Sequence, residues 1–531
     1  MKILNFMSQE TKVSKRRILL LAGISGVANS MLLVILNEAA TQLRDGDIET
    51  QLFLQYLLTF LLFIFAQRTS QREAVAAVEH ALQQVRIRLA DKVRRSELRT
   101  IEAMGGIGSY SSLTQGANTI TQSVMYLIVG VESLLVLIFA SLYLLWLSPA
   151  SFIIGITLIS ITITILVLHY QKTFHELSLA ARKEGEFFEL FTSMLQGFKQ
   201  LKLSRRKSDA VFADITAAAN ETSRLKSHSN IRLLEDILLS NVAFYLLLLL
   251  IVFMLPTMVT VYEEKLFQVI ATILFMMQPV YRISAAFPNI SKTNVAITGL
   301  YALEEKLDSD QSVHQESPPL PFTEFQSIAI NAVSFSYLDK QLNPVSQIGP
   351  LHLSLKPGEI IFITGGNGSG KSTLLKILAG LYKPEEGNLA LNDTPLKVSD
   401  YNAYRGMFSA VFSDFHLYSR LYGIEDCSEK VVLKWLTTMG LNHKTEFKNG
   451  QFTNTNLSTG ERKRLAFIVA VLQDCPILIL DEFAADQDPE FRETFYKKII
   501  PELKTQGKTI VAVTHDEQYF DTATRVISTN V

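Results

Sequence analysis

The 531-residue chain has only two cysteines and two tryptophans, and its acidic and basic residues nearly cancel, to a formal net charge of −1. Each scarcity excludes something. Cys427 and Cys475 are far apart and lack metal-ligand spacing, so neither a disulfide framework nor a zinc site is implied, and both read as small thiols. A charge so near zero gives no reason to expect a nucleic-acid partner. No internal repeat or low-complexity tract divides the chain. Charge is also unevenly withheld: long uncharged runs fill the first three hundred positions, apolar residues reach 48%, and mean hydropathy is positive at +0.21. That is the pattern of a membrane protein, and the last two hundred residues read instead as a soluble α/β domain.

Six apolar segments are present, at residues 18–36, 51–66, 128–147, 152–168, 237–255 and 266–286. The first follows Lys12, Lys15, Arg16 and Arg17 and would be about 28 Å long as a helix, which exceeds a signal-peptide core. The second and fourth are short for a full span, so flanking polar residues or tilt must complete them. Little more than Ser148-Pro149-Ala150 separates the third from the fourth, which forces a tight hairpin.

Charge in the connections predicts orientation, because Lys and Arg near helix ends stay in the cytoplasm. The first connection carries Glu38, Asp45, Asp47 and Glu49 against Arg44, and the fifth carries Glu263 and Glu264 against Lys265, so both face outward. The second and fourth are rich in Lys and Arg and face the cytoplasm, as do both termini. These two are also too long and too helix-favouring to be loops. Helices are expected to run down through 74–98 and 173–203 and to return, with short helices near 102–110 and 204–212 placed to touch another domain. A polar, proline-rich stretch then follows. This gives a membrane domain at 1–308, a linker at 309–322 and a soluble domain at 323–531.

In the soluble domain the apolar run 360–363 leads into Gly365-Gly366-Asn367-Gly368-Ser369-Gly370-Lys371-Ser372 and then a helix beginning at Thr373. Strand, glycine-rich turn and helix start come together where backbone N–H groups must converge on phosphate oxygens. Lys371 adds a point charge for the β- and γ-phosphates, and Ser372 a hydroxyl for Mg²⁺. The strand 476–480 ends in Asp481 and Glu482, acids delivered where a parallel sheet places its ligand. Asp481 suits Mg²⁺ coordination and Glu482 the polarisation of an attacking water. Tyr337, ending an earlier strand, could stack on adenine or simply pack.

Leu457-Ser458-Thr459-Gly460-Glu461, followed by Arg462-Lys463-Arg464, resembles the signature of ATP-binding cassette proteins, with Thr459 and Glu461 where Gly and Gln are commoner. Thr514-His515-Asp516 resembles the switch histidine of that family, and Tyr337 its adenine-stacking aromatic. The resemblance spans the chain, since six membrane helices with long cytoplasmic extensions and one cassette make the exporter arrangement. It implies an α-helical membrane domain of exporter type joined to an α/β P-loop NTPase. It further implies ATP and Mg²⁺ as cofactors, Glu482 and His515 as catalytic residues, and Asp488 as the aspartate that communicates between cassettes. Ser458 and Gly460 would complete the ATP site of a second copy. One residue departs from the pattern: in Val411-Phe412-Ser413-Asp414-Phe415, Ser413 stands where a glutamine usually links the Mg²⁺ site to the membrane helices. Asp414 could substitute through water.

These motifs together resemble the bacterial cyclic-peptide exporter branch, which implies a homodimer in the cytoplasmic membrane exporting a peptide-like or siderophore-like cargo. A lipid flippase and a membrane-tethered regulatory ATPase remain open as alternatives. For the cargo path, Glu132 and Arg282 each lie sixteen positions below the outer ends of their segments, hence at one depth of about 24 Å, with Gln278 a turn above Arg282. Such charges face a bundle interior or snorkel to the headgroups.

Overall fold

A charge-poor chain in lipid must satisfy every backbone polar group internally, and helices do so within one segment. The computed structural model describes residues 6, 15–45, 50–103, 108–258, 265–308, 325–338 and 344–529. The linker expected at 309–322 lies outside the described residues. Two compact units are present, residues 1–92 with 107–306 and residues 93–106 with 307–531.

The first unit is built on long helices: α1 (Lys15–Asp45), α2 (Thr50–Arg95), α4 (Gly108–Leu147), α5 (Pro149–Gln196), α7 (Arg205–Leu249) and α9 (Leu266–Asp308). The short α6 (Phe198–Leu203) joins α5 to α7, and a π-turn (Leu250–Met254) carries α7 on into α8 (Leu255–Met258). Among the described residues five helices are long and apolar enough to cross a membrane. The fourth apolar segment, 152–168, heads α5, where the apolar stretch Pro149–Ile165 is shorter. The tight hairpin is present, because Ser148 alone joins α4 to α5: its hydroxyl accepts from Ser151 N, and Pro149 supplies the first helical residue.

Lipid gives apolar helices little reason to prefer each other over acyl chains, so close packing of small residues and polar contacts carry much of the association. At Gly26 of α1 an added Cβ would lie 3.0 Å from Leu135 Cβ and 3.1 Å from Glu132 O. Glycine is therefore what lets α1 meet α4 this closely. Leu144, Phe244, Leu247, Ile251, Ile273 and Met276 tie α4, α7 and α9 into one buried cluster. Beyond its span, α2 buries a stripe of small residues, Ser70, Ala74, Ala77 and Ala81. Arg88 and Lys92, further along α2, both reach Glu304 of α9 at 2.7 Å.

The second unit contains two main sheets. The antiparallel one runs β2 (Pro344–Leu355), β1 (Ile328–Leu338), β4 (Glu386–Leu391) and β5 (Thr394–Pro395). The parallel one has the order β11 (Arg525–Ser528), β3 (Ile360–Thr364), β10 (Thr509–Val513), β9 (Ile477–Asp481) and β6 (Phe408–Val411). Strands β9 and β10 are buried at every position, as uninterrupted apolar runs covered on both faces should be. Helices α10 (Lys371–Leu378), α11 (Tyr401–Arg405), α12 (Glu429–Thr438), α13 (Thr459–Leu472), α14 (Pro489–Thr494) and α15 (Ile500–Thr505) lie between these strands in sequence, with the small hairpin β7 (Phe447–Lys448) and β8 (Gln451–Phe452) after α12. The helix α3 (Leu98–Ala103), which follows α2 in the chain, belongs to this unit and packs on β1.

Candidate functional site

Because β3, β6, β9 and β10 are parallel, the motifs that follow them in sequence arrive at one edge of the sheet. After β3 the chain turns through Gly365, Gly368 and Gly370 at φ of 152°, 82° and 83°. A Cβ on Gly365 would stand 2.5 Å from Thr529 Oγ1, and one on Gly370 2.8 Å from Ile348 Cγ2, so only glycine closes the loop. Ser369 Oγ shares a 2.8 Å hydrogen bond with Thr529 Oγ1, which ties the loop to the segment after β11. Lys371 is 6% exposed, and its ammonium donates to the carbonyl oxygens of Gly365 at 2.9 Å and Gly366 at 2.8 Å. The loop curls around this cation, and the N-terminus of α10 opens beside it, an arrangement suited to a polyphosphate.

Ser372 Oγ donates to Asp481 Oδ1 at 3.2 Å, which joins the start of α10 to the end of β9. Asp481 is 1% exposed. A hydroxyl and a buried carboxylate are hard oxygen donors, and with phosphate oxygens and water they fit Mg²⁺. The next residue, Glu482, adopts the left-handed region at φ 49°, ψ 40°. Its carboxylate lies 3.8 Å from His515 Nε2, on the segment after β10. Asp516 holds that segment in place, since Arg492 Nη1 and Tyr496 Oη donate to its carboxylate at 3.0 and 3.1 Å. Ser413 and Asp414 are exposed and follow β6, which pairs Val411 with Leu480 of β9, so they come off the sheet beside Asp481.

Tyr337 shares a 2.6 Å hydrogen bond with Thr373 Oγ1, directly after the phosphate loop. Its ring meets Phe335 and Tyr382 edge-on, and those two stack with centroids 4.2 Å apart. The side chain is thereby fixed against α10. Asn367, in the mouth of the loop, is exposed.

The signature segment opens α13. Ser458 and Glu461 form a capping box: Ser458 N donates to Glu461 Oε2 at 3.0 Å and Ser458 Oγ caps Glu461 N. The Ser458 hydroxyl, with its backbone N–H, holds the Glu461 carboxyl below the usual range. A glutamate serves this cap as well as a glutamine, which accounts for the departure noted at this position. Gly460 is tightly placed, since a Cβ there would lie 2.6 Å from Asp486 O. Asp488 caps α14 by accepting from Phe491 N at 2.8 Å, and that bond, with Arg464 beside it, lowers its pKa.

Of the three membrane residues, Glu132 is 2% exposed and accepts a 2.7 Å hydrogen bond from Ser25 Oγ, so it is turned into the α1–α4 interface. Gln278 is exposed and Arg282 half-buried on α9. Among the described residues no hydrogen bond or ion pair joins these three. Other contacts of the second unit escape a reading of the sequence. Glu97 pairs with Lys383 at 2.9 Å and Arg405 at 2.6 Å, Arg99 with Glu385 at 2.6 Å, and Glu102 with Lys376 of α10 at 3.0 Å. Lys463 of α13 reaches the segment that follows β9, donating to the Glu482 carbonyl at 2.9 Å.

Comparison with known proteins supports the same chemistry. The family described as ABC transporter matches residues 348–485. ATP-binding protein SyrD of Pseudomonas syringae pv. syringae is 31% identical, over 95% of this chain and 90% of that one. The ATP-dependent lipid A-core flippase of Chromobacterium violaceum is 27% identical over 49% of this chain and 45% of its own length. The colicin V secretion/processing ATP-binding protein CvaB of Escherichia coli is 28% identical over 43% of this chain and 34% of its own. Among solved structures, a bacterial Atm1-family ABC exporter with ATP bound superposes with a TM-score of 0.77 at 16% identity, over 97% of this chain and 93% of that one. The chain thus shares the exporter fold, a helical membrane unit with an ATP-binding cassette.

Proposed function

We propose that this chain, which belongs to the ABC transporter family, is a half-transporter that works as a homodimer. ATP binding brings two cassettes together, hydrolysis separates them, and the membrane helices export a peptide-like or siderophore-like molecule across the cytoplasmic membrane. The observation that carries this reading is the pairing, in one cassette, of a phosphate loop closed around Lys371 with a signature turn whose Ser458 is exposed. Ser458 and Gly460 are thereby left to complete the ATP site of a second copy, with Asp488 at the contact. The loop from Gly365 to Gly370 holds the phosphates through backbone N–H groups, Lys371 neutralises them, and Tyr337 lies against the base. Mg²⁺, when bound by Ser372 and Asp481, would supply a positive charge that offsets the charge of the transferring phosphoryl group. Glu482 orients the attacking water and takes its proton, and His515 stands 3.8 Å from the Glu482 carboxylate.

For the cargo, Gln278 and Arg282 are the positions on α9 offered to a path through the bundle, and Glu132 would join them when α1 and α4 separate. A lipid flippase is the second reading, favoured by the flippase among the relatives. Vesicles reconstituted with the purified protein distinguish the two: ATP-dependent accumulation of labelled cyclic peptide supports export of peptide, and ATP-dependent transfer of labelled lipid between leaflets replaces it. Dilution of the detergent-solubilised protein to verified monomers tests the dimer, and turnover per chain that does not fall would refute it.

A further inference from the structure

We propose that Lys463 is a positioning residue for Glu482, and that through it the signature helix of each subunit controls the water-orienting carboxylate of its own ATP site. The proposal rests on Glu482 being that carboxylate. A residue with a side chain enters the left-handed region only where its surroundings hold it there, and Glu482 does so at φ 49°, directly after a fully buried strand. The holding contact comes from α13. Lys463 is 5% exposed, and its ammonium donates to the backbone carbonyl of Glu482 at 2.9 Å while pairing with Asp486 Oδ2 at 2.6 Å. One buried cation thus clamps both ends of the five-residue turn 482–486. On the other side of the turn Glu482 N donates to Val513 O at 3.2 Å, so the peptide is gripped from two elements.

A second link runs parallel to the first. Gln487 Nε2 donates to Gly460 O at 3.1 Å, and Arg464 Nε donates to Gln487 Oε1 at 2.7 Å. The first turn and a half of α13 is therefore fastened to residues 482–488 at three points. Ser458 and Gly460, at the head of this helix, are the groups offered to the nucleotide of the other subunit. Movement of the helix on engaging that nucleotide would pass through Lys463 to the Glu482 carbonyl. Each site would then sense whether the opposite site is filled.

The test is a set of four full-length homodimers assayed for ATP turnover: Lys463→Met, Lys463→Gln, Glu482→Gln and Lys463→Met with Glu482→Gln. Methionine matches the lysine stem without a donor, whereas glutamine restores a donor to the carbonyl. Misplacement of a reacting group by about 1 Å can cost about 100-fold. Lys463→Met is therefore expected to lower kcat about 10- to 100-fold with the KM for ATP within about twofold of the parent. Lys463→Gln should recover most of that loss, and the double variant should bind ATP and turn over as Glu482→Gln does alone. Equal losses in both Lys463 variants, or weaker ATP binding by the double variant than by Glu482→Gln, would show a merely structural lysine and overturn the proposal. Parental kcat in Lys463→Met would overturn it directly, while parental turnover in Glu482→Gln would instead remove the assignment of Glu482. Melting temperatures of the purified variants separate misfolding from misplacement, since Lys463→Gln melting with the parent but turning over as Lys463→Met does also counts against it.

Discussion

Glu97 offers a measurement of how firmly the segment that carries α3 is held within the second unit. Its side chain is 11% exposed and contacts two cations, Lys383 at 2.9 Å and Arg405 at 2.6 Å. Glu97→Gln keeps the shape and removes the charge, leaving both cations facing a neutral amide. Removing one partner of a buried ion pair costs about 3–5 kcal/mol. Here Lys383 and Arg405 keep 26% and 25% of their side chains exposed, so water recovers part of this. A loss of about 2 kcal/mol remains, or about 30-fold in the equilibrium between docked and undocked α3. The Arg99–Glu385 and Glu102–Lys376 pairs stay intact and keep the helix docked in most molecules. Hydrogen exchange on the purified transporter should therefore show residues 93–103 exchanging about 30-fold faster, with the phosphate loop unchanged. ATP turnover should persist while export falls. Unchanged exchange in 93–103 would refute the docking energetics, and faster exchange throughout the cassette would show that Glu97 supports the fold rather than the contact.

Other outcomes follow from the geometry. Glu482→Gln should retain ATP binding and lose at least about 100-fold in turnover, with the nucleotide-bound dimer accumulating in size-exclusion chromatography. Gly460→Ala brings a methyl to 2.6 Å from Asp486 O, so turnover should fall at least about tenfold in ATPase assays while ATP binding to the isolated site persists. Arg282→Ala should abolish cargo-stimulated ATPase and export while sparing basal turnover, and export equal to the parent would return Arg282 to the headgroups. Burial raises the Glu304 pKa, but Arg88 and Lys92 outweigh it and hold the carboxyl below its ordinary 4.5. The α2–α9 contact should therefore keep its full strength above that pH and weaken only as the pH falls below it, read as hydrogen exchange at 88–92 between pH 6 and 3.

The catalytic half was legible because its chemistry is local. A strand, six glycine-rich positions and a helix start are contiguous, so Lys371 and Ser372 needed no tertiary information, and the buried run before Asp481 marked a central parallel strand. Glu461 was also legible in principle, since Ser458-Thr459-Gly460-Glu461 is a capping-box pattern that tolerates either Glu or Gln. What stayed hidden depends on distance along the chain. Glu97 meets Arg405 across 308 positions, and Lys463 meets Glu482 across 19 in a direction that only the left-handed turn creates. One sequence carries no mark of such pairings.

Glu132 shows a subtler limit. A helix advances about 1.5 Å per residue but turns about 100°, so an error of one residue barely changes a depth and completely changes a direction. The common depth of Glu132 and Arg282 along their helices could therefore be counted, whereas the azimuth of each could not. Packing supplies it. Gly26 admits α4 close enough for Ser25 Oγ to reach the Glu132 carboxylate at 2.7 Å, and both groups are almost completely buried there. A buried carboxyl with one hydroxyl partner joins two helices more readily than it meets a solute, because cargo would first have to replace that hydrogen bond and part the glycine contact. Any role for Glu132 in transport thus requires a state in which α1 and α4 separate. Gly26→Leu, which wedges that interface open, should raise the reactivity of a Glu132→Cys probe toward water-soluble thiol reagents, and unchanged protection would confine Glu132 to holding the two helices together.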